Sequence, residues 1–346
     1  MERSTRAIPF KVRRDLHPVI RNISWDEPHT LCFYYRFIAN GVADIPREID
    51  GQIVTSIVPF GFANCNTVRT VVIPEKATRI GEYAFINSSV EHIVIPAALT
   101  YIGSSAFRNT SIIDIDLSHT SVTYLGPRAF YQAAKLRIFT LPPHLTSLSD
   151  QVFAYSGLRF IRIGREVKFL SSDCFKMCSR LQHFSSSSPY IVVRQGALYS
   201  SDLRRILRYP AYTEPPLLTS VVVVAPFAFS GTRVSVVRLP QSVCALGEGA
   251  FFGCRFLTDF DASASRVWAI PDRAFADCPS LRVIRARARV LWCARSAFAG
   301  TEGAIALESE PSPAPPAAPG RSVRMRSALW SRLGPLAAAT CSSRLT

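Results

Sequence analysis

Residues 80–96 read Ile80-Gly81-Glu82-Tyr83-Ala84-Phe85-Ile86-Asn87-Ser88-Ser89-Val90-Glu91-His92-Ile93-Val94-Ile95-Pro96, and the chain repeats this stretch from end to end. Phe85 has counterparts at Phe62, Phe107, Phe130, Phe153 and Phe175, spaced 22 or 23 residues apart. After a gap of 54 the series resumes at Phe229, Phe251, Phe275 and Phe298, spaced 22 to 24. A small or apolar residue precedes each Phe, as Ala84 precedes Phe85, and an aliphatic residue or Cys lies five positions before it, as Ile80 does. Three positions after each Phe comes a small residue: Cys65, Ser88, Thr110, Ala133, Ser156, Cys178, Thr232, Cys254, Cys278 and Thr301. Ten copies of one pattern at a period in the twenties mean a solenoid of stacked coils.

The physics of one unit follows from its residues. His92 to Ile95 has the short, β-branched, alternating character of a strand, with Ile93 and Ile95 inward and His92 and Val94 outward. Pro96 ends the strand because it cannot donate to a ladder. Gly81 is expected to permit a turn, and Ala84-Phe85 to begin a short helical or irregular return. One coil cannot enclose a core, so the apolar side is buried only by stacking, at roughly 4.8 Å per strand. Stacking should line the ten Phe side chains into one buried column, each contributing about 1.5–3 kcal/mol by area.

The strand Leu-x-x-Ile-x-Ile-Pro and the return Ile-Gly-x-x-Ala-Phe-x-x-Cys resemble the BspA-type leucine-rich repeat, over about residues 41 to 300. Ile45 to Phe62 is similar to that family's opening coil, and Gly196 to Pro210 to a hairpin often inserted between its coils. The resemblance implies a leucine-rich repeat array of about ten coils with a stacked parallel sheet and a β-hairpin insert. For some members it implies surface adhesion or host-matrix binding, and hence the cell surface.

Residues 1–30 read as an irregular arm or cap, 31–301 as the solenoid, and about 186–216 as its insert. Within the insert, Tyr190–Val193, Ala197–Tyr199 and Ile206–Tyr209 read as strands. Residues 302–346 are rich in Pro, Ala and Arg, cannot bury a core, and read as a disordered tail. The 346 residues contain no run of 18 apolar positions that would span a bilayer. The start, MERSTRAIPFKVRRD, lacks the apolar stretch of a secretory signal, which points to the cytoplasm. On that reading the sequons at Asn22, Asn87 and Asn109 are incidental.

Six of the nine cysteines occupy repeat slots: Cys65, Cys178, Cys254 and Cys278 the small turn position, Cys174 the place before Phe, and Cys293 the aliphatic slot. They read as buried thiols of a reducing compartment. No Cys or His pair completes a zinc set, and no metal or other cofactor is expected. The net charge of +15 comes from 35 Arg and 5 Lys spread along the chain, without the interleaved aromatics of a dedicated nucleic-acid binder. No nucleophile elbow or phosphate loop appears, so the chain does not read as an enzyme.

The outward strand positions form the candidate binding face: His92, Asp114, Asp116, Ile138, Phe160, Arg162, Arg238, Asp261 and Arg285. Ile138 and Phe160 should sit side by side as exposed apolar residues. Arg238, Asp261 and Arg285 should alternate in sign up a salt-bridged ladder. His92, Asp114 and Asp116 should cluster, and an exposed polar group is the reading preferred there over a metal or catalytic site. Three functions fit. The first is a non-enzymatic scaffold for protein or cell-surface recognition. The second is an intracellular scaffold with a cytosolic protein partner. The third is a basic module binding nucleic acid or acidic lipid, whose polyanion binding would fall steeply with salt.

Overall fold

The computed structural model describes residues 38–49, 51–212, 217–287, 292–301 and 306–310. The described chain is a stack of β coils with two ladders of short parallel strands and no helix among the described residues. The face ladder begins with Val42–Asp44, Thr70–Val72 and His92–Val94. It continues through Asp114–Asp116, Ile138–Thr140, Phe160–Ile163 and His183–Ser186. Beyond the insert come Val236–Arg238, Asp259–Ala262, Val283–Arg287 and Ala306–Glu310. That last strand pairs Arg285 with Glu308, so the sheet runs on past Thr301, where the sequence reading had ended the array.

The second ladder was not foreseen. Its strands are two residues long, such as Arg79–Ile80, Tyr101–Ile102 and Tyr124–Leu125, and they carry the aliphatic slot five before each Phe. The segment between this slot and the Phe is a run of turns, not a helical return. In most coils two residues take a left-handed backbone. One row lies two positions after Phe (Asn64, Asn87, Asn109), the other two before it (Phe60, Tyr83, Ser105). Asn tolerates this conformation better than most residues. Asn109 Nδ2 donates to Asn87 Oδ1 at 3.0 Å, and Asn87 Nδ2 to Asn64 Oδ1 at 3.1 Å. The asparagines of two sequons thus form a structural ladder.

Gly81 has a different job from the one expected. Its φ is not left-handed, but a Cβ there would lie 2.5 Å from Pro59 N and 2.8 Å from Val58 C of the preceding coil. Gly103 meets Glu82 N at 2.6 Å in the same way. Close stacking of coils, rather than turn geometry, selects glycine here.

The Phe rings stack in two runs either side of the insert, Phe62 to Phe175 and Phe229 to Phe298, where one column of ten was expected. Phe62, Phe85, Phe107, Phe130 and Phe153 are buried and stacked, with successive centroids 5.0–5.6 Å apart. Phe139 and Phe260 pack edge-on against the column. Phe298, at its end, is half-buried. The small turn residue also does more than save space. Cys178 Sγ donates to Phe153 O at 2.9 Å, Cys254 Sγ to Phe229 O at 3.0 Å, and Cys278 Sγ to Phe251 O at 3.1 Å. Thr301 Oγ1 likewise donates to Phe275 O at 2.6 Å. These hydroxyls and thiols satisfy carbonyls that would otherwise be buried unpaired. Burial keeps the thiols neutral, with Cys254 pushed up to about 11. Cys174, Cys178, Cys254, Cys278 and Cys293 are free, but Cys65 is disulfide-bonded, which corrects the expectation of a thiol at that position.

The insert is built into the solenoid. Ile191–Arg194, Ala197–Ser200 and Arg205–Arg208 form an antiparallel meander, and the third of these strands pairs parallel with Val223–Val224 of the second ladder. Tyr209 N donates to Ala228 O at 2.8 Å, the bond that Phe62, Phe85, Phe229 and most other column Phe residues make to the next coil. Its ring stacks on Phe229 at 4.3 Å. Tyr209 is therefore the missing member of the aromatic column, hidden inside the gap of 54. The core falls into two clusters on either side of this seam, and Leu207 packs against both.

Candidate functional site

The face ladder presents its outward side chains in register. Asp114, Ile138, Phe160 and His183 are successive partners across four strands, and Thr140, Arg162 and Ser185 form the neighbouring row. Ile138 is 53% exposed, and Phe160 beside it is half-buried. The face is parallel and its inward positions are apolar, so register alone decides which residues face out. Arg137 and Arg159, each one residue before the pair, are exposed and place positive charge at the edge of the patch.

The polar candidates divide. His92 Nδ1 lies 3.7 Å from Asp114 Oδ1. Asp116 stands apart from them: its carboxylate accepts the Ser118 N–H at 2.9 Å, and that bond holds its pKa below the usual range. The described residues give no group of three or more His, Cys, Asp or Glu that would hold a metal ion. On the second half of the face, Arg238, Asp261 and Arg285 are successive partners in register, so the signs alternate up the ladder. Arg285 pairs diagonally with Asp259 at 3.6 Å. Asp261 accepts the N–H of Ser263 at 2.9 Å and its hydroxyl at 2.6 Å. Arg238 is exposed. A carboxylate two residues before Ser is better placed for its own turn than for the next strand.

Two features of this side escaped the sequence reading. Glu91 is shared by Lys135 at 2.8 Å and Arg69 at 3.4 Å, linking three coils. The Arg233 guanidinium lies 4.4 Å from the Tyr212 ring and 5.6 Å from the Phe256 ring. All three of these side chains are exposed, where the insert returns to the coils. Phe256 stands five residues after Phe251, where the other coils with Cys or Ala at the small turn position carry Thr67, Lys135, Arg180 and Ser280, and that was the available signal.

A stacked-coil repeat scaffold with an ordered outer face is the class of protein these observations define. A family model described as a BspA type leucine rich repeat region matches residues 55–206 and 212–306, in six copies, and the chain belongs to that family. Among solved structures, the chain is similar to a leucine-rich cell surface protein from Faecalibacterium prausnitzii. The identity is 25% and the TM-score 0.60, over 76% of this chain and 79% of that one. It also shares its fold with the pneumococcal vaccine antigen PcpA, at 18% identity and a TM-score of 0.56, over 77% and 83% of the two chains. No curated protein matches it in sequence. Among the described residues no helix is long and apolar enough to cross a membrane.

Proposed function

We propose that this protein is a non-enzymatic binding scaffold that captures another macromolecule through its face ladder, centred on Ile138 and Phe160. The observation that carries the reading is an apolar pair in adjacent strands, outside the core, rimmed by Arg137, Arg159 and Arg162. Apolar anchors within a polar rim match the way binding energy concentrates in protein interfaces. The partner is accordingly a protein surface offering an apolar knob beside acidic side chains. A cell-surface role is favoured by the likeness to the Faecalibacterium cell surface protein.

The test is capture by the full chain immobilised on resin, comparing the parent with the double variant Ile138→Ser, Phe160→Ser. The expected result is lost capture with unchanged thermal stability. The competing surface is the insert, with Tyr190 48% and Tyr212 41% exposed. Removing the insert outright would be a poor control, because Tyr209 belongs to the core column. Tyr190→Ser with Tyr212→Ser replaces it. Capture lost in that variant and kept in the face variant would refute the assignment. Fractionation of the native cells separates surface from cytosolic residence.

A further inference from the structure

Arg208 is the largest fully buried side chain among the described residues, 2% exposed, and it sits at the seam between the two core clusters. Its surroundings are unusual for a guanidinium, which stays protonated in proteins. Nη1 donates to Phe227 O at 3.0 Å and Nη2 to Cys178 O at 3.3 Å. The second bond has a clear structural origin. In regular coils the equivalent carbonyl accepts a backbone N–H from the next coil, as Cys65 O does from Ser89 N at 2.9 Å. The insert removes that donor at Cys178, and Arg208 takes its place.

Stitching carbonyls accounts for only part of the group. Nε is buried with no hydrogen-bond partner. No carboxylate of the described residues forms an ion pair with the charge; Asp173, next to Cys174, is engaged by Gln151 at 2.9 Å and Ser171 at 2.9 Å, and Asp202 by Ser200 and the Arg204 N–H. The neighbouring Cys174 and Cys178 thiols are held neutral by burial and supply no negative charge. A buried unpaired cation is among the costliest arrangements a core can hold. Beside it lies a cavity of about 50 Å³ lined by Arg208, Arg205, Ser171, Ser172, Leu207 and Phe227. Ser172 and Arg205 are exposed, so they form its mouth. The space exceeds the minimum of roughly 10–15 Å³ for one water and suits a small ion with hydroxyl and guanidinium donors around it.

We infer that this cavity is an anion site, taking a small monovalent anion of the size of chloride or formate as the counter-ion of Arg208. Arg205 at the mouth draws the anion in, and Ser172 offers a hydroxyl, the Ser171 hydroxyl being held by Asp150 and Asp173. The bound ion completes the charge balance at the point where the insert interrupts the stack. It therefore locks the two halves of the solenoid together. This site is separate from the face ladder and stands whatever the partner there proves to be.

The experiment is thermal unfolding of the full chain at neutral pH and constant ionic strength, exchanging sodium gluconate for sodium chloride or sodium formate. Gluconate is too large for the cavity. Tm should rise with the logarithm of chloride or formate concentration, by roughly 5 °C for a hundredfold excess over the dissociation constant. Arg208→Met should abolish the anion response, and Ser172→Phe, which blocks the mouth on an exposed position, should weaken it. If Arg208→Met does not fold, chloride-35 line broadening by the parent protein decides, with displacement by formate and loss in Ser172→Phe as the supporting outcome. Equal Tm in chloride and gluconate, broadening unaffected by formate, or a parent-like response in Arg208→Met would overturn the assignment.

Discussion

Phe130→Ala should be among the most damaging single truncations in this chain, and the structure gives the size of the effect. The side chain is wholly buried in mid-column. It stacks on Phe107 at 5.1 Å and Phe153 at 5.6 Å and meets Phe139 edge-on at 4.8 Å. Removing a core Phe costs about 3–5 kcal/mol, the range reflecting how far the site can collapse. Coils held at strand spacing on both sides cannot close the void, and three ring contacts of about 0.5–1.5 kcal/mol each are lost with it. The upper end, about 4–5 kcal/mol, is therefore expected. Phe298→Ala supplies the internal control. It is half-buried and stacks on Phe275 at 5.6 Å, so about half of a full burial term, roughly 1 kcal/mol, is expected. Equilibrium urea unfolding followed by circular dichroism reads the two. With m near 3 kcal/mol/M, the midpoint should fall by roughly 1.5 M for Phe130→Ala and roughly 0.3 M for Phe298→Ala. Equal shifts, or an unmoved midpoint for Phe130→Ala, would show that the rings do not form a continuous column.

Tyr209→Ala should cost about 3–5 kcal/mol, like a column Phe, whereas Tyr190→Ala in the same insert should stay within about 0.5 kcal/mol. Urea midpoints for both variants check this, and equal midpoints would place Tyr209 outside the column. Cys254 gives a pH prediction. Its folded pKa of about 11 lies above the ordinary 9.0, so its contribution is fully present below pH 9 and is lost as pH rises through 11. Two units correspond to about 2.7 kcal/mol. Cys254→Ala should lessen the alkaline fall by about that amount while the other buried thiols keep the rest, and a fall as steep as the parent's would refute the assignment. Gly103→Ala should lower Tm by several degrees despite an ordinary φ, because its Cβ would meet Glu82 N at 2.6 Å. An unchanged Tm would mean the coils are spaced more loosely than the structure shows.

What the sequence made legible is what repeats. Phe spacing located the core column, and alternation around residues such as Ile93 and Ile95 placed the face strands, because a period survives noise in any single coil. The second ladder was not legible, since strands of two residues carry no periodicity of their own. The left-handed rows were also missed. Asn64, Asn87 and Asn109 mark one row, but Tyr155 and Met177 occupy it elsewhere under the constraint of stacking alone. Cys65 shows the limit of reasoning by slot. It fills the same turn position as Cys178 and Cys254, yet it is disulfide-bonded while they are thiols. A slot fixes a residue's size and local bonds, and pairing depends on what lies opposite.

The gap of 54 residues teaches the most about how this fold tolerates interruption. Ladder and column both have to be continued across it, and the chain does so with residues that carry no repeat signature. Tyr209 supplies a ring, Ile206 pairs with Val224 where an aliphatic slot should be, and Arg208 reaches the carbonyl of Cys178 that a backbone N–H would otherwise serve. Each solves a local problem of packing or hydrogen bonding that the repeat solves differently. The aromatic and aliphatic replacements are nearly equivalent to the originals. The guanidinium is not, because it brings a charge into a place where the repeat has none. Among the described residues Arg208 is the one buried charge, and it lies where the insert joins the coils. That coincidence ties the geometry of the insert to the electrostatics of the core beneath it: whatever neutralises Arg208 also fixes how firmly the insert is seated.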